Sequence, residues 1–313
     1  MNTVIKTKSR NEWLANREQG IGSSEVGTIL GLNPFETPYQ LWRRKMGIDP
    51  PKQENFLMKA GHYLEDAVSR FYADETGKDI IKASQGDFLI VSNDKPFMRV
   101  SPDRTFWIPD MPKNNHNKGI LECKTTQMQI DSDDLPKHWF CQLQYQLGVA
   151  ELPVGALAWL TAGREFGYKD IAFDEEFFKW MAEEVERFWI DHIVNKQEPA
   201  ATEVSDILLK FPKHLTGSTL MADSQLLLAY EELVALKKEK GAAEKRIKEL
   251  EDEFKMAMGE CESVTTSDGK TLCTWKASAP SMTFDSKALQ KAEPDIFERY
   301  QVEKAGTRRF LLK

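Results

Sequence analysis

The chain is poor in cysteine, in net positive charge and in long apolar runs, and each shortage removes a class of function. Its four cysteines, Cys123, Cys141, Cys261 and Cys273, stand far apart with no C-x-x-C pair. That argues against a zinc knuckle or an iron–sulfur cluster and fits a reducing cytoplasm. Lysine and arginine total 42 against 49 aspartates and glutamates, a formal charge of −7. Such a protein does not coat nucleic acid by bulk charge, so any DNA contact needs a local basic surface on an acidic body. No apolar run approaches the roughly 18 residues of a membrane span. Residues 1–10 are polar and basic without the apolar core of an export signal, so the expected location is cytoplasmic, with no membrane partner.

What is present begins with enough apolar residues, 41% of 313, for one large core and a second unit. Helical spacing marks a first helix around Trp13 and Leu14, a second from Gly22-Ser23-Ser24-Glu25 through Val26, Ile29 and Leu30, and a third around Leu41, Trp42 and Met46. A longer one covers 56–76, with Leu64, Val68, Phe71 and Tyr72 on its periodic face and Glu65 among them. The period then falls to two, giving strands at 88–91, 98–100, 105–108 and 120–122. A helix over 136–151, strands at 155–160 and 166–171, and a helix over 174–195 complete an α/β order. The expected domains are 1–200, an irregular linker at 201–220 with Pro212 and Gly217, and an extension at 221–313. Within the extension, 224–258 shows a heptad tendency interrupted by Lys237, Lys240 and Gly241, which leaves one long helix or a helical hairpin open. A small β-hairpin turns at Ser267-Asp268-Gly269-Lys270, before a basic tail with Lys304, Arg308, Arg309 and Lys313.

Two short pieces carry chemistry: Ser101-Pro102-Asp103 and Leu121-Glu122-Cys123-Lys124. On a strand, Glu122 and Lys124 share a face while Cys123 points to the other. Two carboxylates and an ammonium at a sheet edge suit a hard divalent cation and an attacking water, the requirements for cutting a phosphodiester. Asp103, Glu122 and the backbone carbonyl of Cys123 are the candidate metal ligands; Lys124 serves the water and developing charge, and Gln142 on the next helix holds either. A solvated cross-strand pair is the ordinary reading of an isolated E-x-K. Trp42-Arg43-Arg44-Lys45 reads equally as a channel lining or as an amphipathic helix with its charges outside.

Asp followed by Glu-x-Lys on neighbouring strands resembles the PD-(D/E)xK nuclease superfamily. Five segments in order narrow the likeness: Trp13 through Arg17, Gly22-Ser23-Ser24-Glu25-Val26, Gly61-His62-Tyr63-Leu64-Glu65, Ser101-Pro102-Asp103-Arg104, and Leu121-Glu122-Cys123-Lys124 with Gln142-Leu143-Gln144-Tyr145-Gln146. Together they resemble the YqaJ-like viral recombinase family, phage-type exonucleases that include lambda exonuclease. The resemblance implies a restriction-endonuclease-like core, a central mixed sheet flanked by helices. It also implies resection of linear duplex DNA from 5′ ends, leaving 3′ overhangs for a single-strand annealing protein. By position it implies metal binding (one or two Mg²⁺ or Mn²⁺) at Asp103 and Glu122, a water-serving Lys124, and supporting roles for Gln142 and Glu65. It places the 5′-terminal phosphate at Arg17 and Ser24, with Ser23 beside them; the competing reading of the serines is a helix N-cap. A homo-oligomer, such as a trimeric ring, and a phage or prophage origin in a bacterial host belong to the same expectation. A structure-specific endonuclease and a catalytically silent DNA-binding protein on the same core remain alternatives.

Overall fold

The computed structural model describes residues 2–50, 55–81, 88–304 and 306–312. Lys313 of the basic tail lies outside them. The chain divides into two units, Met1–Lys210 and Phe211–Lys313.

In the first unit a short strand, β1 (Thr3–Lys6), precedes α1 (Arg10–Glu18), which Ser9 caps by accepting the Glu12 amide at 3.2 Å. β2 (Ile21–Gly22) opens directly into α2 (Ser23–Ile29). α3 (Pro38–Lys45) has a reciprocal cap: Thr37 Oγ1 accepts from the Gln40 amide at 3.1 Å and Gln40 Oε1 from the Thr37 amide at 3.4 Å. α4 (Phe56–Thr76) ends at Gly77, whose φ of 67° is the left-handed conformation that closes a helix without a Cβ clash. The strands follow as β3 (Ile80–Ile81), β4 (Phe88–Val91), β5 (Met98–Val100), β6 (Arg104–Trp107) and β7 (Lys118–Thr126). Next come α5 (Lys137–Ala150), β8 (Val154–Thr161), β9 (Glu165–Ala172) and α6 (Glu175–Phe188). The helical pattern expected to run to 195 changes to a π-helical turn at Trp189–Val194, where the His192 carbonyl accepts from the Trp42 indole at 3.0 Å.

Two sheets form. One has the order β1-β4-β5-β2; the other, β3-β6-β7-β8-β9, is mixed, with β7 and β8 parallel and its other pairs antiparallel. The parallel pair needs a crossover, and α5 supplies it. Side chains on β7 alternate as a strand dictates. Leu121 and Cys123 join Val68 and Tyr72 of α4 in one core, whereas Ile120 packs with Trp139, Leu143 and Leu147 of α5 in another. A third core sets Cys141, Tyr145 and Val149, from the opposite side of α5, against α2, α3 and α6. α5 is therefore buried on most of its surface, and its polar side chains in the middle of the helix are uncharged glutamines with partners inside the fold. α2 lies close against it: a Cβ added to Gly27 would meet the Cβ of His138 at 2.7 Å, so only glycine permits this approach.

The segment expected as an irregular linker contains α7 (Val204–Lys210), which belongs to the first unit. Buried Asp206 explains the difference. It accepts from Thr37 Oγ1 at 2.7 Å and from the Thr202 amide at 3.0 Å, contacts that local sequence does not announce. The basic cluster beside Trp42 is likewise occupied. Arg43 makes a two-pronged pair with Asp49, while Arg44 binds Glu25 and Glu36, and buried Lys45 binds Glu25 at 3.0 Å. These cations tie the fold together, and Trp42 sits in the core.

In the second unit α8 (Ser224–Met258) is one continuous helix, deciding between the long helix and the hairpin. Glycine costs about 1 kcal/mol in a helix interior, but Gly241 is followed by two alanines and bridged by the Lys240–Glu244 pair at 3.7 Å. β10 (Ser263–Thr265) and β11 (Thr271–Thr274) form the expected hairpin, and short helices α9 (Ser286–Ala292) and α10 (Pro294–Arg299) precede the tail. Among the described residues no helix is long and apolar enough to cross a membrane.

Candidate active site

Asp103 stands immediately before β6, and Arg104 of β6 pairs with Leu121 of β7, so the antiparallel register brings Asp103 beside Glu122 and Cys123. Asp103 Oδ2 accepts the Cys123 amide at 2.8 Å, a bond that continues the ladder with a side chain. Glu122 and Lys124 face α5, where helical spacing places Gln142 and Gln146 one turn apart. Glu122 is buried and its carboxylate is held from three directions. Oε1 accepts from Lys124 Nζ at 2.7 Å and Gln142 Nε2 at 2.5 Å, while Oε2 accepts from Gln146 Nε2 at 2.8 Å. Gln142 Oε1 accepts in turn from Lys124 Nζ at 2.8 Å, closing a triangle of Glu122, Lys124 and Gln142.

The electrostatics follow from crowding. Burial, then the charges of Glu122 and Glu65, push the Asp103 carboxyl well above the usual carboxylate range. For Lys124 burial acts downward, but Glu122 and Asp103 outweigh it and hold the ammonium above its ordinary value. Glu65, on α4, meets His62 Nδ1 at 2.9 Å and acts on Asp103 through its charge. Burial and the same acidic neighbours push the Cys123 thiol up, which leaves that side chain a core residue.

The donor set fits a hard divalent cation. Asp103 and Glu122 offer two carboxylates at a position where negative charge exceeds the single ammonium, and oxygen ligands with open positions are what Mg²⁺ takes. Among the described residues no three His, Cys, Asp or Glu side chains converge to enclose a metal, so side chains alone supply less than a full coordination sphere.

Where the sequence leads one to expect a phosphate site, α2 begins at Ser23 with Gly22 in the capping position, so neither serine is the N-cap. Glu25 Oε2 accepts the Gly22 amide at 2.8 Å instead. Both hydroxyls are used otherwise: Ser24 Oγ accepts from Arg17 Nη2 at 2.5 Å, and Ser23 Oγ from Gln146 Nε2 at 3.2 Å. Arg17 lies over the Trp13 ring at 5.2 Å, and Arg10 over the same ring at 4.1 Å.

One cleft of about 670 Å³ brings all the expected site residues together: Asp103, Glu122, Cys123, Lys124, Gln142 and Glu65 with Arg17, Ser23 and Ser24. Gln146 is the polar contact that motif reading passes over. Its signal was present, four residues beyond Gln142 on the same helix.

The chain is similar to several known proteins. Residues 12–153 match the model of the YqaJ-like viral recombinase domain. The chain is 28% identical to an uncharacterized protein, YqaJ, of Bacillus subtilis (strain 168), over 97% of this chain and 94% of that one, so the likeness extends into the second unit. Among solved structures it is similar to an alkaline exonuclease from Laribacter hongkongensis, with 16% identity, 64% of this chain and 96% of that chain covered, and a TM-score of 0.44. It is also similar to a phage-related exonuclease from Haemophilus somnus 129PT, with 12% identity, 57% and 96% covered, and a TM-score of 0.39.

Proposed function

We propose that this chain, whose residues 12–153 match the model of the YqaJ-like viral recombinase domain, is a metal-dependent exonuclease that resects linear double-stranded DNA from its 5′ ends and leaves 3′ overhangs. The observation that carries the reading is the shared cleft: a phosphodiester-cutting set, Asp103, Glu122 and Lys124, and a phosphate-anchoring pair, Arg17 and Ser24, line the same cavity.

Asp103, Glu122 and the backbone carbonyl of Cys123 would hold Mg²⁺ or Mn²⁺, one or two per site, which supplies Lewis-acid stabilisation and a more acidic water. The remaining work falls to the chain. Gln142 and Gln146 fix the Glu122 carboxylate in place, and Gln142 keeps the Lys124 ammonium beside it. Held beside Glu122 and Gln142, the Lys124 ammonium would donate hydrogen bonds to an attacking water and to the phosphoryl oxygens. Arg17 presents a permanently charged fork to a terminal phosphate, and its stacking on Trp13 limits the rotamers lost on binding. Such contacts address backbone rather than bases, so binding is salt-dependent and sequence-neutral.

The same reading makes duplex ends, further copies of this chain in an assembly such as a trimeric ring, and a single-strand annealing protein its partners. The second unit, with Lys304, Arg308 and Arg309, then serves as an arm for DNA or partner contact. Solution mass tests the assembly.

The function is tested on linear duplexes labelled at either end, with 5′-phosphate or 5′-hydroxyl termini, beside a covalently closed circle, in Mg²⁺ and in EDTA. Nucleotide release from 5′ ends in Mg²⁺ alone is expected, with the complementary strand left whole. Folded protein releasing nothing removes the proposal, and cutting of the circle replaces it with an endonuclease.

A further inference from the structure

Gln146 is wholly buried in the middle of α5 and touches both halves of the cleft. A side-chain amide has two N–H donors. Here Nε2 lies 2.8 Å from Glu122 Oε2 and 3.2 Å from Ser23 Oγ, so one group serves the cation-binding carboxylate and the helix that carries the phosphate-anchoring serines. Its carbonyl, Oε1, meets no partner among the described residues. A buried unmatched acceptor is destabilising, and an apolar side chain would avoid it. What the glutamine offers that an apolar residue does not is its pair of donors.

Ser23 completes the link. Its oxygen accepts from Gln146, and among the described residues its hydroxyl proton meets no acceptor. Ser23 lines the cleft beside Arg17 and Ser24, so that proton is available to an oxygen of a bound phosphate. The route from phosphate to carboxylate is then three hydrogen bonds long: Ser23 to the phosphate, Gln146 to Ser23, and Gln146 to Glu122.

Resting on the exonuclease reading above, we propose that Gln146 is a positioning residue that couples recognition of the 5′-phosphate to the placement of Glu122. Without it the two ends of the cleft act independently. The terminal phosphate then anchors the strand but no longer helps to align the scissile bond.

The test compares wild type, Gln146→Met, which keeps length and removes both donors, Ser23→Ala and the double variant. On 5′-phosphorylated duplex, Gln146→Met should lower kcat about 10- to 100-fold with KM little changed, as expected for losing a hydrogen bond to a charged group. The preference for 5′-phosphate over 5′-hydroxyl ends should fall toward one in Gln146→Met and in Ser23→Ala, and the double variant should lose no more of it than either single one. A second readout needs no turnover: in EDTA, wild type and Gln146→Met should both bind the phosphorylated end more tightly than the hydroxyl end, because Arg17 and Ser24 still anchor it. An unchanged turnover preference in folded Gln146→Met overturns the proposal, and so does loss of the binding preference in EDTA, which would make Gln146 part of the anchor instead. Should that variant not fold, an unchanged preference in Ser23→Ala overturns it equally. Wild-type inactivity on every duplex would strike the exonuclease reading instead, whereas an active wild type with unaltered variants strikes only the coupling.

Discussion

Lys124 Nζ lies 2.7 Å from Glu122 Oε1, two residues back along the same strand, and both groups touch the amide of Gln142. The ammonium neutralises one carboxylate, and the burial and crowding with Glu122 and Glu65 that push the Asp103 carboxyl up are what a bound cation would relieve. Glu122→Gln and Lys124→Ala should therefore each lower kcat by about 10³-fold or more, the scale for removing a preorganised charged group from a reacting site. Duplex binding should persist. Single-turnover cleavage beside a binding isotherm measures both, and near-wild-type rates in either variant would refute the roles.

Arg17→Ala removes a charged donor from the anchoring end. The loss should be about 10- to 100-fold in kcat/KM on 5′-phosphorylated ends, from the usual worth of a hydrogen bond to a charged group. Hydroxyl ends should be nearly unaffected. Equal losses on both would make Arg17 a general DNA contact.

Glu25 is buried against Arg44 and Lys45, with oxygens 3.0 Å from each. Burial alone would raise its carboxyl, but Lys45, Arg17, Arg44 and the Gly22 amide hold it below the ordinary 4.5. The unfolded chain therefore binds this proton more readily than the folded one. The stabilisation is complete above the ordinary value and disappears as pH falls through the lower folded one. Glu25→Gln should flatten that part of an acid-unfolding curve followed by circular dichroism. At pH 7 it should cost about 3–5 kcal/mol, since it leaves buried cations without their partner. Equal acid sensitivity in wild type and variant would refute the assignment.

Asp206→Ala should leave the hydroxyl of Thr37 and the amides of Thr202 and Glu203 unsatisfied. A loss of about 1–3 kcal/mol follows from stranding buried polar groups. Limited proteolysis should then cut near α7 well before the rest of the first unit; an unchanged cutting pattern would show that the helix is held by other contacts.

Local periodicity was enough to place most elements, because helix and strand faces here are separated by apolar spacing. α4 begins and ends where its pattern says, and the Asp103 and Glu122-Cys123-Lys124 pieces meet because a β-ladder leaves two neighbouring strands little choice. What the sequence concealed was decided by distant partners. Thr3-Val4-Ile5-Lys6 is short and follows no clear alternation; its pairing with β4 makes it a strand. Arg43, Arg44 and Lys45 look like a free basic patch until Asp49, Glu36 and Glu25 fold against them. Ser23 and Ser24 look like caps, but the cap position falls one residue earlier, at Gly22. Gln146 is one glutamine among three on α5, and only the packed helix shows which of them reaches across to α2.

The close approach of α2 and α5 at Gly27 has a consequence for how the enzyme would measure its substrate. Ser23 and Ser24 start one helix and the Glu122-holding glutamines lie on the other, so under the exonuclease reading the gap between the helices would act as a ruler from the strand terminus to the cut. Its length is set by a missing methyl group: a Cβ at position 27 would press into His138 and push the helices apart. On that reading a residue outside the cleft would constrain the spacing between the anchored terminus and the bond that is cut.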